Sequence, residues 1–426
     1  MKESSEKPPT LRWQRTLGVM FVAQLLASVG FSTIFPFLPN YVEHLGVRGG
    51  GSLVFWVSAV FSVQAVSMMF AAPIWGAVAD RYGRKLMVVR SLIGGAVIIL
   101  LMGFARSAEE LTLLRLIQGL VTGVMSASSS LVASVTPRER LGYAMGLMQT
   151  ANWAGVSVGP MIGGVLEFFF GYRIAFVVTA ALLLLGGVLV MVRVEERFTR
   201  PESVARGVSG VWRSWGLVVR APGVLLAYLL RFLAWLGRTM LTPFLPLFVA
   251  AIAARPEVAG LYTGLAIGLA SAAGTLSGVV LGRLSDRVGS KPVLVVSAVA
   301  TALFYVPLTF VTEVWQLVVL NTLVGFAVGG VLPAISAMLA RLTDPSEAGT
   351  VYGLDTSIGS ASRAVAPLVA GAIVTLTSAP GETQYRYIFL AAGALFLLAA
   401  GLAAWRLPKL EAERARAAAA ARPGAG

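Results

Sequence analysis

One stretch of this chain occurs twice. Gly76-Ala-Val-Ala-Asp80-Arg81-Tyr82-Gly83-Arg84-Lys85 returns as Gly282-Arg-Leu-Ser-Asp286-Arg287-Val288-Gly289-Ser290-Lys291. Glycine, aspartate, arginine, glycine and lysine keep the same spacing, at an offset of 206 in a chain of 426 residues. A repeat at half the chain length means two homologous halves, because solenoid periods run only about 20–50 residues. Three further landmarks recur in the same order. Pro36-Phe-Leu-Pro39 matches Pro243-Phe-Leu-Pro246. Leu114-Arg115 with Gly119 and Gly123 matches Leu320-Asn321 with Gly325 and Gly329. Gly159-Pro160 with Gly164 matches Ala366-Pro367 with Gly371.

Long apolar runs separate these landmarks. The chain is 57% hydrophobic and only 13% charged, against about 25% charged in soluble domains. Runs of some 20 apolar residues are long enough to cross a hydrocarbon layer of ~30 Å as helix. They predict spans near 16–41, 53–79, 86–105, 109–135, 141–169, 172–192, 223–250, 258–281, 292–311, 314–340, 349–377 and 387–405. The apolar run before Tyr41 outlasts a signal-peptide core of about 7–15 residues, so it reads as a retained first span. The formal charge of +14 would suit nucleic acid, but its distribution does not. With both termini inside, the external basic residues are Arg48, Arg106, Arg173, Arg255 and Arg386, and Arg115, Arg231, Arg238 and Arg363 lie within spans. The remainder of the 34 Lys and Arg fall on cytoplasmic segments, as the positive-inside rule requires. The expected location is the cell (inner) membrane, and nucleic acid is not a partner.

The expected division is an N-terminal six-helix bundle at 1–192, a cytoplasmic linker at 193–222, a C-terminal six-helix bundle at 223–406 and a tail at 407–426. The tail has helix-forming composition. No cysteine is present and His44 is the single histidine. Disulfides, thiolate metal sites and histidine-based clusters are therefore excluded, and no cofactor or metal is expected.

Charges inside spans carry the functional signal. Arg115 sits about two turns from the outer end of span 4, where insertion costs about 2.5–3.5 kcal/mol, so it should face a polar cavity. Arg231 and Arg238 share a face of span 7 with Trp235, suiting an anionic or aromatic ligand by charge pairing or stacking. Snorkelling to the inner headgroups is the alternative for Arg231. Asp355 is the carboxylate inside a span of the second half, with Arg363 eight residues on and near the same face. A carboxyl in low dielectric can carry a proton at neutral pH, and stabilisation as a charge near its helix start is the alternative. Glu43 and His44 close span 1 on the outside, and Glu167 ends span 5. Gln24, Phe31, Gln64, Gln118, Gln149, Asn152, Trp153 and Asn321 are further cavity candidates, with core packing the simpler account of Phe31 and Trp153.

Over residues 12–406 the chain resembles the major facilitator superfamily. The repeated aspartate loop resembles that superfamily's most widespread motif, and Leu113-Leu-Arg115-Leu-Ile-Gln118-Gly119 its fourth-span motif. Gly155-Val-Ser-Val-Gly159-Pro160-Met-Ile-Gly163-Gly164 resembles the fifth-span motif of drug:proton antiporters. Pro36-Phe-Leu-Pro-Asn-Tyr-Val-Glu43-His-Leu-Gly and Leu332-Pro333-Ala resemble the fosfomycin- and quinolone-resistance exporters of that 12-span branch.

The resemblance implies an all-α fold of two six-helix bundles rocking about a midplane site. It implies a latch in which Asp80 caps the start of span 11 around Ser346 to Gly349, a contact of about 0.3–1 kcal/mol. Gly76, Arg81, Gly83, Arg84 and Lys85, and Gly282, Asp286, Arg287, Gly289 and Lys291, would shape the two latch loops. It further implies a part for Arg115 in proton transfer or substrate binding, with Asp355 and Glu43 as other coupling candidates. The small residues Gly155, Gly159, Pro160, Gly163 and Gly164 would serve close packing, export direction, or both. Many exporters of lipophilic cations place an acid deep in the N-terminal half, and this chain does not. That departure favours anionic or neutral substrates, and a phosphonate such as fosfomycin fits. The resulting expectation is a monomeric proton-coupled antiporter that exports small amphipathic drugs or metabolites, with protons, substrate and the lipid bilayer as partners. An uptake symporter for a small anionic metabolite is the alternative. A membrane enzyme lacks a nucleophile–base pair or metal set, and a non-transporting receptor has no use for paired latch loops.

Overall fold

A computed structural model describes residues 9–47, 50–196, 223–342, 348–377, 381 and 383–420. Every regular element among them is a helix. In the first half these are α1 Pro9–Thr33, α2 Leu38–Leu45, α3 Leu53–Tyr82, α4 Arg84–Met102, α5 Ala108–Val121, α6 Val124–Val135 and α7 Leu141–Arg193. In the second they are α8 Val224–Thr239, α9 Leu245–Ile252, α10 Ala259–Val288, α11 Ser290–Leu308, α12 Val314–Val328, α13 Val331–Leu342, α14 Ala348–Thr377 and α15 Thr383–Ala420. Among the described residues, ten helical stretches are long and apolar enough to cross a bilayer. One of them, α7, is spans 5 and 6 joined across a kink at Gly171, where φ is 76°. Span 7 is missing from the ten because it is cut into α8 and α9. Twelve spans result.

Four spans are broken, and the breaks repeat between halves. Spans 1 and 7 give way just before the second proline of the Pro-Phe-Leu-Pro landmark, at Phe37 and Phe244. Proline has no N–H for the preceding turn and its ring crowds the carbonyl four residues back. Span 1 is therefore not the uninterrupted run to Tyr41 that hydropathy suggests. Span 4 breaks at Gly123, whose φ of 147° is open to glycine but not to a side chain. Span 10 breaks at Gly329-Gly330, between α12 and α13.

The breaks in spans 4 and 10 each strand a carbonyl, and a side chain answers it. The carbonyl of Leu120 accepts from Trp75 Nε1 at 2.6 Å, and that of Phe326, its repeat equivalent, from Ser277 Oγ at 2.6 Å. The ends of spans 3 and 9 follow the same logic. Tyr41 Oη donates to the Met102 carbonyl at 3.0 Å, and Arg386 Nη1 to the Thr309 carbonyl at 2.6 Å. The aromatic contacts beside them are also doubled. Phe37 and Tyr41 meet Phe176 at 5.5 and 5.1 Å, while Phe248 meets Phe389 at 5.2 Å and Phe244 meets Tyr385 at 6.2 Å. A buried carbonyl in a lipid-surrounded bundle needs a donor, so both halves supply one.

Two compact units emerge. One comprises Met1–Trp56, Val63–Val204 and Glu257–Gly268, and the other Val57–Ser62, Ala205–Pro256 and Leu269–Gly426. In the first, α1 and α4 pack along α7, and α4 also meets α5 and α6. In the second, α11 packs on α15, and α8 on α13, α14 and α15. Of the expected linker only residues 193–196 are described, and the backbone of the tail is helical to Ala420.

Candidate transport site

In the second unit, α8, α13 and α14 bring a charge cluster together. Arg231 Nη2 donates to Asp355 Oδ2 at 2.6 Å, and Nη1 donates to Ser336 Oγ at 2.8 Å and to the Leu332 carbonyl at 3.2 Å. The two charged side chains are only 11% and 19% exposed. Arg231 thus ties three spans through one guanidinium and does not snorkel to the headgroups. Nor is Arg363 the arginine that meets Asp355. Eight residues of helix rise about 12 Å and turn about 80°, which carries Arg363 away. Its Nη2 instead bonds Ser360 Oγ at 3.1 Å, and its guanidinium stands 5.7 Å from the Trp235 ring. Arg238 also stands 5.7 Å from that ring. Trp235 thus has two guanidiniums beside it, those of Arg238 and Arg363. Ser362 Oγ donates to the Phe232 carbonyl at 3.3 Å and holds α14 against α8 here. Asn321 is half-buried on α12.

The first unit holds a buried arginine and, separately, a chain of neutral polar groups. Arg115 is 3% exposed and its Nη1 donates to Gln118 Oε1 at 2.7 Å. Gln24 Nε2 donates to Ser28 Oγ at 3.1 Å, which donates to Asn152 Oδ1 at 2.9 Å, linking α1 to α7. Gln24 Oε1 is buried without a partner. Phe31 packs its ring against Gly95 of α4, as a core residue does. Gln149 and Glu43 are exposed, the latter near the C-terminal end of α2.

Two residues were missed from the sequence. Arg90 belongs to α4, not to a cytoplasmic segment, and lies 3.4 Å from the Trp75 ring centroid. It makes a fifth arginine within the spans; its place one turn into an apolar helix was the available signal. Glu196 caps α4, accepting from the backbone N–H of Arg84 at 2.9 Å and of Lys85 at 2.8 Å. Nothing in sequence tied the end of span 6 to that loop.

The repeated loops share their backbone. Gly83 and Gly289 hold φ of 101° and 96° between consecutive helices, a region left to glycine. Arg84 Nη1 donates to the Ser130 carbonyl at 3.2 Å, Arg81 lies 5.4 Å from the Tyr82 ring, and Asp286 and Arg287 are exposed. The side chains of Gly76 and Asp80, and residues Ser346 and Glu347 of their expected partner segment, lie outside the described residues.

The fifth-span glycines split between two neighbours. Gly155, Gly159 and Gly163, spaced by four, face Ser28, Ser32 and the Thr33 carbonyl of α1 so closely that a Cβ would collide. Gly164 faces the backbone of Gly260 and Leu261 at the start of α10, and the Pro160 carbonyl faces Gly264. One motif seats span 5 against span 1 on one face and against span 8 on another.

A duplicated twelve-span bundle with broken first and fourth spans in each half, and charges gathered inside, defines a membrane transporter class. The chain belongs to the Major Facilitator Superfamily, whose family model matches it twice, over residues 20–252 and 227–425. It is similar to "Multidrug resistance protein MdtG" of Serratia proteamaculans (strain 568), 34% identical over 370 residues, covering 86% of this chain and 89% of that one. The protein of that name from Citrobacter koseri (strain ATCC BAA-895 / CDC 4225-83 / SGSC4696) is 33% identical over 363 residues, covering 85% and 89%. Among solved structures, the nucleoside transporter NupG has the same fold, with a TM-score of 0.75 at 13% identity over 91% of this chain and 98% of that one. The human organic anion transporter MFSD10 (TETRAN) aligns with a TM-score of 0.66 at 20% identity, covering 93% and 100%. The chain is a multi-pass membrane protein of a transporter family.

Proposed function

We propose that this protein is a proton-coupled multidrug exporter working by alternating access in the cell membrane, with both termini cytoplasmic. The names of its relatives at 33–34% identity support the export of drugs. The observation that carries the coupling is the buried Arg231–Asp355 pair. A proton on Asp355 removes half of that pair, and with it one of the contacts that tie α8 to α14. The rearrangement has a ready consequence, because Arg231 also holds Ser336 and the Leu332 carbonyl of α13. No cofactor enters; the proton gradient supplies the work, and the chain acts as a monomer.

Substrate binding is assigned to Trp235, Arg238 and Arg363 of the second unit. Two guanidiniums around one indole favour small amphipathic compounds that carry an anionic group or a planar ring. Everted vesicles loaded from outside with fosfomycin, a fluoroquinolone or ethidium test this. Arg238→Ala should lower fosfomycin accumulation about tenfold and spare ethidium. Equal loss of all three would refute a charge-selective site, and no accumulation of any by the parent would refute export of these compounds.

A further inference from the structure

The outer end of span 5 holds a titratable group that the transport reading does not use. Glu167 follows the glycine strip of α7 by one turn. In the first unit, the opening turns of α10 lie along that strip, Gly260 on Gly164 and Gly264 on the Pro160 carbonyl. The Glu167 carboxyl fills the space that a Cβ on Gly260 would need. Its Oε2 is buried with no hydrogen-bond partner among the described residues.

Its neighbours are identifiable. On its own helix stand Tyr172 and the exposed Arg173. From α2, the His44 ring lies 5.5 Å from the Tyr172 ring, and the exposed Glu43 stands beside His44 in sequence. From α10 it is met by the backbone of Gly260; the nearest acid on that segment, Glu257, is exposed in the preceding turn. Among the described residues, no cation forms a salt bridge with the carboxyl. A charged carboxylate in this seat leaves one oxygen without a donor, which costs the desolvation of that group. A carboxylic acid gives up no such charge on being covered.

We propose that Glu167 is a second proton-binding site, facing the outside, and that its neutral form is the one that lets the start of α10 seat on α7. External protons would close this contact and their loss would loosen it. The site is separate from Asp355, which belongs to the other unit, so the export reading can stand or fall without it.

The chain contains no cysteine, which makes the test clean. Phe168→Cys and Tyr262→Cys, both at exposed positions, place two spin labels across the contact in the full chain in nanodiscs. At about pH 5 the label–label distance should be a single short population, and at about pH 9 a longer one should appear. Glu167→Gln should keep the short population at both pH values. Gly260→Ala, whose methyl displaces the carboxyl, should show the longer one even in acid, giving a readout if Glu167→Gln does not fold. His44→Gln should respond like the parent. A parent distance that does not change with pH would overturn the proposal, as would a Glu167→Gln protein that moves as the parent does.

Discussion

At the scale of single residues, the Arg231–Asp355 pair sets the terms. Two charges that are 11% and 19% exposed have given up most of their hydration, and what remains favourable is their mutual geometry. Removing one leaves the other buried and uncompensated, at a cost of about 3–5 kcal/mol, whereas replacing both by apolar residues is often close to neutral. Arg231→Met and Asp355→Leu should therefore each lower the melting temperature of the detergent-solubilised protein, and the double variant should recover most of the loss. An additive double variant would mean the pair is not energetically coupled. Each charge was legible in the sequence, because ionisable residues are rare inside apolar runs. Their partnership was not. They are 124 positions apart on different helices, a separation that the periodicity of a single helix does not reveal.

At the scale of the helices, the small residues of span 5 decide how closely its neighbours approach. A methyl at Gly163 would collide with the Thr33 carbonyl, while one at Gly146 meets nothing within 4 Å. Gly163→Ala should destabilise by about 1–3 kcal/mol through overpacking. Gly146→Ala should be neutral or stabilise by about 0.5–1 kcal/mol, and thermal unfolding of the two side by side reads the difference. The broken spans supply another case. Trp75→Phe keeps a ring beneath Arg90 but removes the donor to the Leu120 carbonyl, and should cost about 1–3 kcal/mol. Ser277→Ala should do the same at Phe326, measured by the same melts. The breaks were written in the sequence as Pro-Phe-Leu-Pro and as paired glycines. The donors were not legible, because the halves answer equivalent carbonyls with different residue types: indole against hydroxyl, and tyrosine against arginine.

At the scale of the whole molecule, the duplication did most of the work of inference. Four landmarks at offsets of 206 and 207 imply two copies of one six-span bundle, and the family model duly matches twice. Boundaries were less legible. Residues Glu257–Gly268 of the second copy pack with the first unit, since the glycine strip on span 5 suits the small residues that open span 8. The central claim is that proton movement through Asp355 drives export, and one comparison tests it. Everted vesicles carrying the parent or Asp355→Asn would be energised, and ethidium accumulation followed before and after an uncoupler. The parent should accumulate ethidium and release it when the gradient collapses, while Asp355→Asn should equilibrate ethidium downhill without accumulating it. Accumulation by Asp355→Asn equal to that of the parent, and equally sensitive to the uncoupler, would contradict the account.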